Sequence, residues 1–253
     1  MAKQCAYCNS TGKMTREHIF PSSVISRYKE SLVSINDKSE SYFYSDHVIK
    51  DVCPTCNSGF LSELDDKFIS LFDKYMSNPI YPGKQASLEF DYHSLLRFLL
   101  KVSYNSSRGS INGNQASNAL KRYIPYIQGN EPSAHDVMLR LQIFTSAKKI
   151  NANTNEVEGI IEASMLRSAK VPYDGPQCKN FIVRLIAFNS FCFYLIIPIG
   201  KTGRLKRASA LKGFKKWKIQ SGVPISAHNN KLVIPVEKTS YIHPSILNGM
   251  LRH

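Results

Sequence analysis

Apolar residues recur at three- and four-residue steps from Phe60 through Leu61, Leu64, Phe68, Leu71 and Phe72 to Tyr75, which is the spacing of one face of an amphipathic helix. His93 to Ser106 repeats the pattern through Leu95, Leu96, Leu99 and Val102, and Gln115 to Tyr123 reads as a third helix. Beyond that point the period shortens to two. Val137, Leu139, Leu141 and Ile143 alternate with other residues, and two β-branched and aromatic runs, Phe181–Phe188 and Phe191–Ile199, flank the turn-forming pair Asn189-Ser190. Lys231–Val236 reads as a last strand. The expected fold class is therefore α+β. Between the first two helices, Asn78–Lys84 contains two prolines and a glycine and reads as a linker, dividing a module over residues 1–80 from a domain over residues 85–253.

A chain of 253 residues, 43% of them hydrophobic, can bury a sizeable core, which excludes a disordered tail or a collagen-like polymer. Its net charge of +14 favours a polyanionic partner. The charge is uneven: residues 1–84 balance ten basic against ten acidic side chains, so the whole surplus lies in residues 85–253. Eight basic residues without an acid fall between positions 201 and 220, namely Lys201, Arg204, Lys206, Arg207, Lys212, Lys215, Lys216 and Lys218. They are candidate phosphate contacts, and Trp217 among them is a candidate platform for a base. A solvated charged face with Trp217 in the core is the alternative.

An anionic membrane is the weaker partner. Arg184, Asn189, Ser190 and Pro198 interrupt the most apolar stretch, and Met1-Ala2-Lys3-Gln4-Cys5 has no apolar leader. A cytoplasmic chain is expected, in which six cysteines are unsuited to disulfides.

Their spacing points to a metal. Cys5-Ala6-Tyr7-Cys8 and Cys53-Pro54-Thr55-Cys56 are two C-x2-C knuckles, and four thiolates meet the tetrahedral demand of a structural zinc ion. Such a closed site leaves no position for a catalytic water. Cys178 and Cys192 lack a partner pattern and read as buried small hydrophobes. The long interval between the knuckles holds a folded insertion containing Arg16-Glu17-His18-Ile19-Phe20-Pro21, and Asn57 follows the second knuckle directly.

Over residues 5–75 this combination resembles the HNH endonuclease family, in which a C-x2-C, an acidic residue with His, an apolar pair with Pro and a second C-x2-C running into Asn recur together. The resemblance implies a ββα-metal fold: Glu17 and His18 on a first strand, a second strand ending before Cys53, and a helix beginning near Asn57. His18 suits the role of general base on water attacking a phosphodiester. Glu17 and Asn57 supply hard oxygen ligands for one Mg²⁺ or Mn²⁺, and Asp65, or its neighbour Asp66, is a candidate for a further ligand. Arg16 is a candidate nucleic-acid contact. Adjacent strand residues point to opposite faces, so Glu17 and His18 converge only where the strand bends or bulges.

Two departures from the family pattern stand out. Residues 45–52 lack the Asn that often ties the ribbon, leaving His47 as the nearest polar stand-in, and no closing His lies in the helix. The leading expectation is a metal-dependent endonuclease with a basic C-terminal region that holds nucleic acid, DNA rather than RNA. A zinc-bearing nucleic-acid-binding protein without chemistry is the alternative. A homodimer or a regulatory protein partner fits a standalone nuclease, as does an effector role in defence against foreign DNA, by analogy alone.

Overall fold

A computed structural model of the chain describes residues 3–28, 34–36, 41–43, 48–109, 113–151, 153–171, 178–203, 205–209 and 222–236. The chain is α+β and forms two compact units. Residues 1–71 group with residues 93–134, and residues 72–92 group with residues 135–253. The division therefore does not fall at residues 80–85. The Pro/Gly segment is a turn inside the second unit: Gly83 has a φ of +80°, its N–H donates to the Val236 carbonyl, and the Ile80 N–H donates to Ser190 Oγ.

In the first unit, strand β1 (Thr15–His18) pairs antiparallel with β4 (Val48–Val52). Between them lie a short helix, α1 (Ser22–Ile25), and the paired strands β2 (Ser34–Asn36) and β3 (Ser41–Phe43). The chain turns helical directly after β4, as α2 (Pro54–Cys56), a wider π turn over Asn57–Leu61, and α3 (Ser62–Tyr75). Pro54 explains a start earlier than Asn57, since proline has no N–H to lose and a fixed φ suited to the first helical position. Leu61, Leu64 and Phe68 form the buried stripe of this unit, and Phe68 stacks on Phe98 of α4 (Tyr92–Gly109) with ring centroids 3.7 Å apart. Helices α5 (Asn114–Lys121) and α6 (Ile124–Gln128) follow, α6 closing on Gly129 in the left-handed region.

The second unit is built on a five-stranded antiparallel sheet of order β12-β6-β11-β10-β9. Its strands are β6 (Met138–Ile143), β9 (Leu166–Lys170), β10 (Phe181–Phe188), β11 (Phe191–Pro198) and β12 (Val223–Ile225). The expected hairpin is present, with Phe188 opposite Phe191 and Asn189 at a φ of 48°, a conformation asparagine tolerates. Every residue of β10 and β11 is buried, which accounts for their runs of apolar residues on both faces, with Arg184 of β10 the charged exception. Cys192 lies in that core, as expected; the Cys178 side chain lies outside the described residues. A hairpin of β7 (Ala147–Ile150) and β8 (Val157–Ile161) and the pair β5 (Gln85–Glu89) and β13 (Lys231–Pro235) complete the unit. Among the described residues no helix is long and apolar enough to cross a membrane.

Candidate active site

The two knuckles meet. The four sulfur atoms of Cys5, Cys8, Cys53 and Cys56 all lie within 4.8 Å of one another. Tetrahedral zinc–thiolate bonds of 2.3 Å would set sulfurs roughly 3.8 Å apart, so this cluster can hold a structural metal such as zinc. Local bonds shape the knuckles: the Cys5 N–H donates to the Ser10 carbonyl, Asn9 sits at a φ of 60°, and the Ala6 N–H donates to the Asp51 carbonyl of β4. Burial disfavours the Cys53 thiolate, but hydrogen bonds from the Cys56 backbone, Ser10, Cys5 and Cys8 draw its thiol down to about 6. Hydrogen bonding to Ser10 lowers Cys8 as well, whereas burial and the neighbouring sulfurs push Cys56 up. The quartet thus presents some ready thiolate to a soft cation.

The β1–β4 ribbon is irregular where convergence requires it. Thr15 faces Val52 and Glu17 faces Ile49, so Lys50 and Asp51 oppose the single residue Arg16. Glu17 and His18, though adjacent, both line one cavity of about 450 Å³, together with Asn57 and Asp65. With roughly 30 Å³ for each liquid-like water, that space admits a hydrated ion and a phosphate group. The exposed hydroxyl residues Ser58 and Ser62, and Arg16 with its exposed side chain, complete the relevant wall. His18 is half-buried, Glu17 buried.

Asn57 plays a part that its sequence position conceals. It is helical, with φ −68° and ψ −52°, and caps no helix N-terminus. Its Nδ2 donates to Thr15 Oγ1 at 2.8 Å and to the Arg16 carbonyl at 3.1 Å, while Thr15 Oγ1 donates to the Val52 carbonyl at 2.9 Å. The amide thus ties the helix to β1 directly and to β4 through Thr15. With nitrogen so engaged, the amide oxygen is the atom left for a ligand.

The carboxylates are held from α4. Lys101, with no exposed surface, places Nζ 2.8 Å from Glu17 Oε1 and 2.7 Å and 2.9 Å from the two oxygens of Asp65. One turn further along α4, Asn105 Nδ2 donates to the same Glu17 Oε1 at 3.3 Å, and Asn105 Oδ1 accepts from the Tyr7 hydroxyl at 2.6 Å. Tyr7 stands between the cysteines of the first knuckle, so a hydrogen-bonded chain runs from knuckle to cavity. Burial raises the Asp65 carboxyl above its ordinary value against the pull of Lys101, and the charge of Glu17 adds to the rise. Arg108, the next residue of this polar stripe on α4, fastens Asp51 through Nε and Nη2 at 2.9 Å and 3.1 Å and lies 4.1 Å from the centroid of the Tyr104 ring.

Asp65 is thereby committed to a lysine. Among the described residues the four cysteines are the one His, Cys, Asp or Glu group of three or more whose ligand atoms come so close, and Glu17, His18 and Asp65 do not form a second. In the other unit, Lys201 and Lys206 are exposed; Arg207 is half-buried and donates to the His135 carbonyl at 3.0 Å. Arg204, Lys212, Lys215, Lys216, Trp217 and Lys218, like His47, lie outside the described residues. Lys101, Asn105 and Tyr7 escaped the sequence reading. The available signal was a lysine and an asparagine four residues apart on a helix otherwise rich in leucine, an arrangement that demands buried polar partners. No family model matches the chain, and neither a curated protein nor a solved structure shows significant similarity to it.

Proposed function

We propose that the chain is a metal-dependent endonuclease of the HNH type that hydrolyses phosphodiester bonds of nucleic acid, DNA in preference to RNA. One observation carries the reading: His18, Glu17 and Asn57, singled out by their order around two C-x2-C knuckles, line a single cavity although Glu17 and His18 are neighbours on a strand. The β1–β4 ribbon running into a helix, with four cysteines at its base, supports the same reading.

His18 takes a proton from the attacking water, and the cavity is wide enough for that water and a phosphodiester together. The donors are hard oxygens: a Glu17 carboxylate oxygen and the Asn57 amide oxygen, which suit Mg²⁺ or Mn²⁺ rather than a second zinc. Bound there, the cation would offset negative charge on the phosphoryl group and the leaving oxygen. Asn57 keeps β1 in register with the helix, and Arg16 and the Ser58 and Ser62 hydroxyls offer phosphate contacts. The basic segment of residues 201–220 supplies sequence-independent affinity.

The test is plasmid nicking in Mg²⁺ or Mn²⁺ by the wild type, His18→Ala and Glu17→Gln. Nicking by the wild type that both substitutions abolish is expected; nicking that survives in His18→Ala removes His18 from the mechanism. A second reading, a zinc-bearing nucleic-acid-binding protein without chemistry, draws on the ion pairs that engage Glu17 and Asp65 with Lys101. Salt-sensitive DNA binding with no nicking in any divalent cation would favour it.

A further inference from the structure

Lys101 lies outside the motif of residues 5–75, yet its ammonium touches both carboxylates that line the cavity. Charge left uncompensated in a protein interior is costly, and a simple ion pair leaves none. Here two anions meet one cation, leaving a net charge of −1 at the cavity wall where two bare carboxylates would leave −2. Both α4 donors, Lys101 Nζ and Asn105 Nδ2, take the same oxygen of Glu17. Among the described residues no hydrogen bond claims Glu17 Oε2. The arrangement fixes one edge of the carboxylate and reserves the other, while a full positive charge stands next to the position a cation would take.

We infer that Lys101 is a positioning residue of this cavity: it is the resident counter-ion of Glu17 and Asp65, orienting Glu17 and holding the cavity's affinity for a divalent cation low. The inference rests on the reading that Glu17 faces such a cation. Removing the ammonium exposes two uncompensated carboxylates, which then favour Mn²⁺. Retaining the charge in another form leaves the affinity where it was.

The experiment is a Mn²⁺ titration of the full, zinc-loaded chain without nucleic acid, following the electron paramagnetic resonance signal of free Mn²⁺. Lys101→Met is expected to bind one Mn²⁺ at least tenfold tighter than the wild type, about 1.4 kcal/mol. Lys101→Arg should stay near the wild type, and adding Glu17→Gln to Lys101→Met should erase the gain. Lys101→Gln, which keeps a donor between the carboxylates, answers the same question if the methionine variant fails to fold. Mn²⁺ affinity unchanged or weakened in a folded Lys101→Met or Lys101→Gln would overturn the inference. So would failure of both to fold even with Mn²⁺ present, because a counter-ion role predicts that Mn²⁺ restores the missing charge. The readout separates this inference from the nuclease reading: a wild type that nicks DNA while the variants bind Mn²⁺ no tighter refutes the role of Lys101 alone, and tighter binding in a chain that cuts nothing refutes the hydrolase alone.

Discussion

Asn57→Ala is the perturbation that most directly separates two roles for one side chain. The amide donates to Thr15 Oγ1 and to the Arg16 carbonyl, and Thr15 Oγ1 passes the connection to the Val52 carbonyl. A neutral hydrogen bond contributes about 0.5–1.5 kcal/mol net, and the contact to Arg16 is solvent-exposed, so losing both should cost about 1–2 kcal/mol. Thr15→Val should cost a similar amount by removing the bonds to Asn57 and Val52. Because either substitution breaks the bond they share, the double variant should be less destabilised than the sum by about 0.5–1 kcal/mol. Asn57→Asp sharpens the contrast. It keeps an oxygen for a cation but sets a carboxylate against the Arg16 carbonyl, so it should destabilise the metal-free chain at least as much as alanine does. Urea denaturation followed by far-ultraviolet circular dichroism measures the four variants against the wild type. Strict additivity, or an aspartate variant as stable as the wild type, would refute the tie.

Further expectations concern the knuckles and the charged surface. The purified chain should carry one zinc, and a chelator should lower its unfolding midpoint, as atomic emission and a denaturation curve would record; a zinc-free, equally stable protein would contradict this. Hydrogen bonds hold the Cys53 thiol below its ordinary value, so its thiolate persists further into acid than that of a free cysteine, and zinc bound, followed by atomic emission, should fall on acidification rather than near neutral pH. Tyr7→Phe keeps the ring against Phe60 and Tyr104 but strands Asn105 Oδ1 in the interior, and should cost about 1–3 kcal/mol in urea with the zinc retained. Lys201→Ala combined with Lys206→Ala should weaken DNA binding and flatten the slope of log K against log salt by up to roughly two units, and an unchanged slope would remove both lysines from the interface.

What could be read from the chain follows from the range of each interaction. The β10–β11 hairpin was legible because β-branched runs and Asn189-Ser190 act within a few residues. The cysteine quartet was legible despite its long interval because a metal fixes both residue type and spacing. The Pro/Gly segment misled because the same composition serves a linker and a turn, and only the bonds of Gly83 to Val236 and of Ile80 to Ser190 choose between them. Lys101 is the strongest case. Its partners Glu17 and Asp65 lie on a strand and on another helix, so no local pattern announces them, and the leucines around it suggest plain packing. Asn57 was legible as an oxygen donor, but the bonds of its nitrogen to Thr15 and Arg16 depend on a strand some forty residues away and left no local trace.

The most direct measurement is the anomalous scattering of Mn²⁺ in crystals of the zinc-loaded His18→Ala protein with a short DNA duplex. One manganese peak bonded to Glu17 Oε2 and Asn57 Oδ1 is expected, with a phosphate oxygen and waters filling the rest of its shell and residue 18 facing the same phosphorus. A manganese peak elsewhere, or DNA bound with no metal in the cavity that Glu17, His18 and Asn57 line, would contradict it.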